Sequence, residues 1–413
     1  MTSVGRSMKK SSFGWSLLVV GLSLAGSSVG QVGCELTQLT DTQDAFSAYG
    51  SPQNGTVFFY STGDLIGTNP EGNREIFFWD GANIEQITQA TTGENYVPRQ
   101  DGDLVAWMAS ADLLGTNPEG NLEIFTWDGA TIRQITDASS GASEWPRLDG
   151  SQLVFHSQAD LVGSNPEGNA EVFLWDGAEI SQITDATTGS SLNPVIEGQR
   201  IAFASEADLL GSNADGNLEI FLWESGVLTQ LTDTATGFSR GADISDGQIV
   251  FVSTADHLGS NSDGSLEVFL WEAGAITQIT DATVGASWEG TIDNGMIAFF
   301  SRSDLVGSNP EGNFEIFLWD GQIIHQMTDA GEGDSVWPRI RDGGITFHSV
   351  ADLLGTNPEA NSEVFYCRFG TNPSSRPVPA TSAAALAILG GLFALMGTVL
   401  IHRLRVSPSC RLD

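Results

Sequence analysis

Basic residues, cysteine and histidine are scarce in this chain of 413 residues. Between residues 34 and 370 the sequence has ten arginines and no lysine against 51 aspartates and glutamates, a net charge of −41. Such a field repels phosphate backbones, so it excludes nucleic acid as a partner. The three cysteines and five histidines show no zinc-ligand spacing. The central region also lacks helical periodicity, which excludes an α-helical fold.

Residues 1–30 have the pattern of a secretory signal peptide. Lys9 and Lys10 precede an apolar run from Trp15 to Ala25, and small residues follow as far as Gly30. We therefore predict export and cleavage after Gly30. A lipoprotein with its lipid on Cys34 is an alternative, although Gln31 stands where the lipid-attachment motif has an aliphatic residue.

The C-terminal end carries a second targeting pattern. Residues 383–401 are 19 residues without a charge, which predicts a transmembrane helix after a linker at 371–382. The basic segment 402–413 then forms a short cytoplasmic tail by the positive-inside rule. Residues 376–405 resemble PEP-CTERM and IPTL-CTERM sorting signals but depart from their motifs at 378–382. The resemblance implies processing by an exosortase-type enzyme, and a plain membrane anchor is the alternative. Either way the protein should lie in the periplasm or at the cell surface.

The middle of the chain is one unit written seven times. The phrase Asp-Leu-Leu-Gly-Thr-Asn-Pro-Glu-Gly-Asn-x-Glu-Ile-Phe recurs every 48 residues without insertions. Its copies begin at Asp64, Asp112, Asp160, Asp208, Asp256, Asp304 and Asp352. Equal copies in strict register predict an array that is stacked or closed on itself.

Each copy predicts four short β-strands. In the second copy these are the segment around 96–99 and residues 104–110, 123–127 and 131–136, with Asp128 and Gly129 as a two-residue hairpin turn. Residues 35–370 are therefore predicted to form an all-β, seven-bladed β-propeller of 48-residue, four-stranded blades. A β-solenoid is the alternative. Residues 35–40 match 84–88 one repeat later, so the N-terminal strand should complete the last blade and close the circle.

Several repeat motifs resemble a known family. Gln134 to Asp137, the apolar strand that ends at Ser157, and Gly120 to Phe125 resemble the WD40-like repeats (PD40) of TolB-type propellers. The loop at 113–120 is longer than the turn of that family. The resemblance implies membership of the repeat class but not the envelope role of TolB.

A Gly-x-Ser-x-Gly sequence at 237–241 is the pattern of a serine nucleophile. The same loop in other copies lacks the final glycine, and no strand-to-helix elbow or hydrolase domain surrounds it. We therefore predict no catalytic residue here.

The long loop of each copy has oxygen donors on alternate positions, which could bind Ca²⁺. The alternative is an ordinary turn in which the aspartate caps loop amides and the glutamate pairs across strands. The candidate calcium ligands are Asp64, Asn69, Glu75, Asp112, Asn117, Glu123, Asp160, Asn165, Glu171, Asp208, Asn213, Asp215, Asn217, Glu219, Asp256, Asn261, Glu267, Asp304, Asn309, Glu315, Asp352, Asn357 and Glu363.

The copies diverge in the innermost strand, which borders the central channel of a propeller. Variation among otherwise equal copies is what an asymmetric ligand site needs, and Trp and Arg are enriched in binding hot spots. The alternative is that these side chains only fill the channel. The candidate ligand-binding residues at the channel mouth are Tyr96, Arg99, Trp145, Arg147, Arg240, Trp288, Glu289, Trp337 and Arg339.

These features predict a non-catalytic binding or interaction module whose partner is a protein, a peptide or a glycan at the cell envelope. The alternatives are a lyase or hydrolase acting on glycans at the channel mouth, and a purely structural envelope protein. An enzyme would need clustered histidine, tyrosine and paired acids in the divergent positions, where the sequence supplies Glu144 and Glu289.

The repeat register also predicts a disulfide. Cys34 is equivalent to Ala82 one repeat later, and Cys367 is equivalent to Trp79 in the first copy. Those two positions flank Asp80 and Gly81, so across a two-residue hairpin they would face each other at about 5.5 Å between Cα atoms. A Cys34–Cys367 bond would then join the two ends of the ring.

Overall fold

The computed structural model describes residues 33–369 as a seven-bladed β-propeller with no helix. Each blade is an antiparallel sheet of four strands, named here from the channel outward as the inner, second, third and outer strand. Blade 1 begins at Ser47, and blade 7 combines the C-terminal strands with the N-terminal one. The solenoid alternative is wrong, because the first and last described strands pair in one sheet.

The 48-residue repeat sets the strand positions in every blade. The inner strands are Ser47–Gln53, Asn95–Asp101, Ser143–Asp149, Ser191–Glu197, Ser239–Ser245, Ser287–Asp293 and Ser335–Arg341. The second strands are Thr56–Ser61, Leu104–Ala109, Gln152–Ser157, Arg200–Ser205, Gln248–Ser253, Met296–Ser301 and Gly344–Ser349. The third strands are Glu75–Trp79, Glu123–Trp127, Glu171–Trp175, Glu219–Glu224, Glu267–Glu272, Glu315–Trp319 and Glu363–Phe369. The outer strands are Ile84–Gln86, Ile132–Gln134, Ile180–Gln182, Val227–Gln230, Ala275–Gln278, Ile324–Gln326 and, in blade 7, Cys34–Gln38.

An aromatic pair between the second and third strands forms the core of every blade. In blade 3 the fully buried rings of Phe155 and Phe173 stack at 5.8 Å between centroids. Blade 2 replaces the first phenylalanine by Trp107, whose indole N–H donates to Asn95 Oδ1. Because each pair faces directly across the ladder, the alternation of the strand residues fixes the register.

The N-terminal strand closes the ring in blade 7. Cys34–Gln38 runs antiparallel to Glu363–Phe369, and the Leu39 N–H donates to the Val364 carbonyl at 2.8 Å. The buried Glu363 carboxylate accepts from both the backbone N–H and the hydroxyl of Thr42. A disulfide joins Cys34 to Cys367, with the Cα atoms 5.4 Å apart. It uses the sulfur that the lipoprotein alternative requires.

The geometry behind that disulfide differs from the predicted hairpin. Trp79 pairs with Ile84, not with Ala82, so the Asp-Gly hairpin has four loop residues. The Asp80 carboxylate accepts the N–H groups of Ala82 and Asn83, and this cap opens the turn by two residues. In blade 7, accordingly, Cys34 pairs with Phe369 and meets Cys367 as a diagonal neighbour. Two-residue turns occur in blades 4 and 5, at Ser225-Gly226 and Ala273-Gly274.

The antiparallel order gives the propeller two different faces. The loop face carries the long loops between second and third strands and the crossings from one blade to the next. The hairpin face carries the tight turns that join inner to second and third to outer strands. The predicted signal peptide at 1–30, linker at 371–382, transmembrane helix at 383–401 and tail at 402–413 lie outside the described residues. Within residues 33–369, no helix is long and apolar enough to cross a membrane.

Candidate functional site

Every inner strand carries a β-bulge that faces the central channel. The strand register slips at this point in all seven blades. The bulge residues have φ between 45° and 66°, and six of the seven are not glycine. They are Tyr49, Val97, Trp145, Asn193, Gly241, Glu289 and Trp337. A left-handed conformation costs a non-glycine residue about 1 kcal/mol or more, and bulges re-aim side chains next to functional sites.

The bulges of blades 1, 3 and 7 build an aromatic cluster across the channel. The Tyr49 ring lies 5.3 Å from the Trp337 ring and 6.3 Å from the Trp145 ring, measured between centroids. Tyr49 also stacks on Tyr60 at 5.7 Å. Blades 1 and 3 are not neighbours in the ring, so this contact spans the channel. We call Tyr49, Trp145 and Trp337 the aromatic layer.

The sequence prediction missed Tyr49, although it named Trp145 and Trp337. Tyr49 lies one repeat before Val97, but it precedes the first Asp-Leu-Leu-Gly phrase at Asp64. The first inner strand that follows a copy of this phrase is therefore that of the second blade. The 48-residue register contains the signal that would have found it.

Three arginines occupy the position two residues after the bulge, nearer to the hairpin face. They are Arg99, Arg147 and Arg339, and we call them the arginine layer. Arg99 is only 5% exposed, and its guanidinium donates to the Pro98 carbonyl at 3.1 Å. Burial lowers the pKa of all three, and for Arg99 the nearby guanidiniums of Arg147 and Arg339 lower it further.

Glu289 connects the two layers. Burial raises the pKa of its carboxyl group, and the guanidiniums of Arg240, Arg147 and Arg99 oppose that rise. The same arginine layer acts on Tyr49, where burial raises the phenol pKa and Arg99 opposes it. The channel thus holds aromatic, cationic and acidic groups within one electrostatic neighbourhood.

The remaining predicted residues lie one position before the bulge, toward the loop face. Arg240 lies with its guanidinium carbon 5.4 Å from the Trp288 ring centroid and 5.3 Å from that of Phe238. The guanidinium carbon of Arg74 likewise lies 5.1 Å from the ring centroid of Tyr96. These cation–π pairs, each worth about 1 kcal/mol, form a half-exposed rim around the aromatic layer.

The side chains of the predicted calcium loops form hydrogen bonds within the loops and to the segments that lead into the next blade. In blade 3, Asp160 Oδ1 accepts the Asn165 N–H at 2.9 Å, and the Asn165 amide donates to the Asn169 carbonyl. The buried Glu171 accepts from Asn169 and from the segment that crosses to the next blade. In residues 33–369 no three His, Cys, Asp or Glu residues are placed to hold a metal ion. These contacts favour the turn-capping interpretation.

The serine of the Gly-x-Ser-x-Gly sequence is a buried structural residue. Ser239 Oγ contacts Ser253 Oγ at 3.0 Å and His257 Nε2 at 3.3 Å, and Ser239 has no exposed surface. The same serine pair recurs in five other blades, for example between Ser143 and Ser157. The hydroxyl therefore joins two strands and has no path to a substrate.

His348 should make the stability of the protein sensitive to acid. It is buried beside the rings of Phe46 and Tyr49, and burial lowers its pKa to about 4. In the unfolded chain the imidazole binds a proton near pH 6.5, whereas in the native state it does so only near pH 4. The free energy of unfolding therefore decreases as the pH falls from about 6.5 to 4, by up to about 3 kcal/mol. His348→Phe, which copies Phe300 of blade 6, should flatten this part of the pH profile in chemical unfolding. If the free energy of unfolding depended on pH equally in both proteins between pH 4 and 6.5, the assignment would be contradicted. The difference in free energy between the two proteins above pH 7.5 serves as the baseline.

The fold is shared with propellers of known structure. No protein-family model and no curated protein matches the sequence. The β-propeller domain of the Trilobed protease from Pyrococcus furiosus aligns with a TM-score of 0.54 at 13% identity, over 79% of this chain and 96% of that domain. Acylaminoacyl peptidase from Pyrococcus horikoshii gives 0.53 at 16% identity, over 80% of this chain but only 53% of the peptidase. Oligogalacturonate lyase in complex with manganese gives 0.52 at 12% identity, over 83% of this chain and 98% of the lyase. At these identities the likeness shows the fold alone: the chain is a seven-bladed β-propeller.

Proposed function

We propose that this protein is an exported, non-catalytic binding module that engages a protein, peptide or glycan partner at the loop-face mouth of its channel. One observation carries the proposal. In the seven repeats most side chains form the same turns and strand pairs. The repeats differ at the positions where the bulges direct residues into the channel. A site for one asymmetric partner needs that kind of local difference.

The chemistry of the mouth suits recognition. The aromatic layer and the cation–π rim offer half-exposed tryptophan, tyrosine and arginine, the residue types enriched in binding hot spots. Flat aromatic faces also stack on apolar faces of ligands while their polar tips hydrogen-bond. The predicted signal peptide and C-terminal segment support a location at the cell envelope, and the disulfide fits an oxidising compartment.

The enzyme alternative has weaker support at the same mouth. His156 and Glu144 approach each other at 3.6 Å there, which suggests an acid–base pair. However, His156 Nδ1 accepts the Asn193 backbone N–H at 3.2 Å, so in the neutral ring Nε2 carries the proton and faces Glu144. Neither ring nitrogen is then free to remove a proton from a substrate.

The test is a ligand screen of the mature protein. A peptide and oligosaccharide panel should yield a ligand that raises the melting temperature saturably. Trp145→Ala should weaken its binding in calorimetry on the order of 30-fold, the effect of losing a hot-spot residue. Leu210→Ala, an exposed residue on a long loop of the same face, should leave binding unchanged. Equal losses in both variants would contradict the assigned site, and turnover of a panel member would favour the enzyme.

A further inference from the structure

The arginine layer concentrates positive charge inside an acidic protein. Three of the ten arginines between residues 34 and 370 converge here, from blades 2, 3 and 7. The guanidiniums of Arg147 and Arg339 lower the pKa of Arg99, and that of Arg339 lowers the pKa of Arg147. Like charges are not brought together without compensation, because burial and repulsion both raise the free energy of the folded state.

The protein's own carboxylates do not pair with this layer. Among the described residues, no carboxylate oxygen lies within 4.0 Å of the guanidinium nitrogens of Arg99, Arg147 or Arg339. Arg99 Nε and Arg147 Nε and Nη1 are buried without a hydrogen-bond partner. Asp243 and Glu289 are the acids that act on the layer from a distance. Donors that are buried and unused favour an acceptor from outside the protein.

Backbone N–H groups add to the donor surplus. Ser51, Asp243 and Thr291 share the repeat position of the arginines, and each accepts an N–H from the next inner strand. Arginine has no acceptor atom. Where Arg99 and Arg147 occupy this position, the equivalent N–H groups in the next inner strands are those of Leu148 and Ile196. Neither of these N–H groups can bond to the side chain at that position.

Space for a ligand lies beside these donors. A cavity of about 170 Å³ is lined by Arg147, Asp243 and Arg339, together with Leu148 and Ile196. Its lining comes from the last residues of the inner strands, so it lies toward the hairpin face, away from the aromatic layer. A smaller cavity of about 30 Å³ adjoins it, and Arg99 contributes to that wall.

Asp149, Glu197 and Asp293 also line the cavity, and each already accepts a backbone N–H from the next blade. Glu197 accepts the Gly247 N–H at 2.9 Å, and Asp293 accepts the Asp342 N–H at 2.9 Å. Asp101 pairs with Arg341. These acids bind one blade to the next, and none of them contacts a guanidinium of the arginine layer.

We propose that this hairpin-side cavity is a binding site for a small oxyanion, a carboxylate- or phosphate-bearing molecule held by Arg147 and Arg339, with Arg99 behind them on the wall of the smaller cavity. Guanidinium forks match the paired oxygens of both groups. The proposal goes beyond the partner site at the loop face, because it uses other residues, another entrance and another ligand chemistry.

The experiment uses the mature protein with inorganic phosphate and succinate as probes, against chloride at matched ionic strength. At least one probe should raise the melting temperature saturably and give a heat of binding; which of them does so separates a phosphate from a carboxylate ligand. Arg147→Gln should weaken that binding at least about tenfold, the effect of losing a charged hydrogen bond. Its own melting temperature should stay equal or rise, since a partly buried positive charge beside another guanidinium is removed. A purely structural arginine would instead leave a destabilised variant.

Two further variants sharpen the outcome. Arg133→Gln removes an exposed arginine on the outer strand of blade 2 and should bind like the wild type. Asp243→Asn keeps an acceptor for the Ile292 N–H but removes a negative charge, so anion affinity should rise. No saturable effect of either probe, or equal effects on Arg147→Gln and Arg133→Gln, would overturn the proposal. Trp145→Ala should leave anion binding intact, so a failure here is distinct from a failure of the proposed function.

Discussion

Replacing Cys34 by serine should lower the free energy of unfolding by up to about 5 kcal/mol, which for a domain of this size is a fall in melting temperature on the order of 7 °C. The Cys34–Cys367 bond closes a loop with a sequence separation of 333 residues. Its loss therefore releases a large entropy to the unfolded chain. It also frees the end of the strand Cys34–Gln38, which otherwise depends on its ladder to blade 7.

Three comparisons test that result by calorimetry with and without reductant. Reduced wild-type protein should melt at the same temperature as Cys34→Ser, because both lack the Cys34–Cys367 bond. Reductant should leave the melting temperature of the variant unchanged. The double variant Cys34→Ser/Cys367→Ser should be no less stable than the single one, since both remove the same bond. Cys410→Ser should have no effect. Free thiols at both Cys34 and Cys367 in exported protein, shown by alkylation, would refute the pairing.

The sequence predicted the architecture because repetition carries it. Seven copies in register need seven equivalent environments, and the match of residues 35–40 to 84–88 predicted which strand completes blade 7. Both predictions are confirmed by the sheet order. Such features depend on alternation and spacing, which a single chain displays directly.

Local backbone geometry was harder to predict. The Asp-Gly hairpins gained two residues because the aspartate side chain captures two N–H groups, and no propensity for a two-residue turn reports that competition. The bulges could not be seen either, because positive φ is usually signalled by glycine and six of the seven bulge residues are other types. The nine channel residues were therefore predicted to form one site, whereas the bulge separates them into a rim, an aromatic layer and an arginine layer.

A glutamate begins the third strand in all seven blades, and its contacts explain why this position is constant while the channel varies. Glu171 is buried, and its carboxylate accepts from the Thr184 hydroxyl, the Ala186 N–H at 2.8 Å and the Asn169 amide at 2.6 Å. Thr184 and Ala186 belong to the crossing into blade 4. One carboxylate thus fixes the long loop of its own blade to the chain that starts the next inner strand, and so helps to place the bulge that follows.

Glu171→Ala should accordingly destabilise the protein by about 3 kcal/mol, because it leaves one buried and two part-buried donors without their acceptor at about 1 kcal/mol each and opens a void. Glu171→Gln keeps one acceptor oxygen, so its stability should lie between that of the wild type and that of Glu171→Ala. Glu167→Ala, an exposed acid in the same loop, removes the same charge without a buried contact and should change stability by less than about 0.5 kcal/mol. Urea unfolding of the three variants measures the difference directly. If the glutamate instead served only to supply charge to a cation, the two alanine variants would lose comparable stability, and chelator would abolish the difference between wild type and Glu171→Ala.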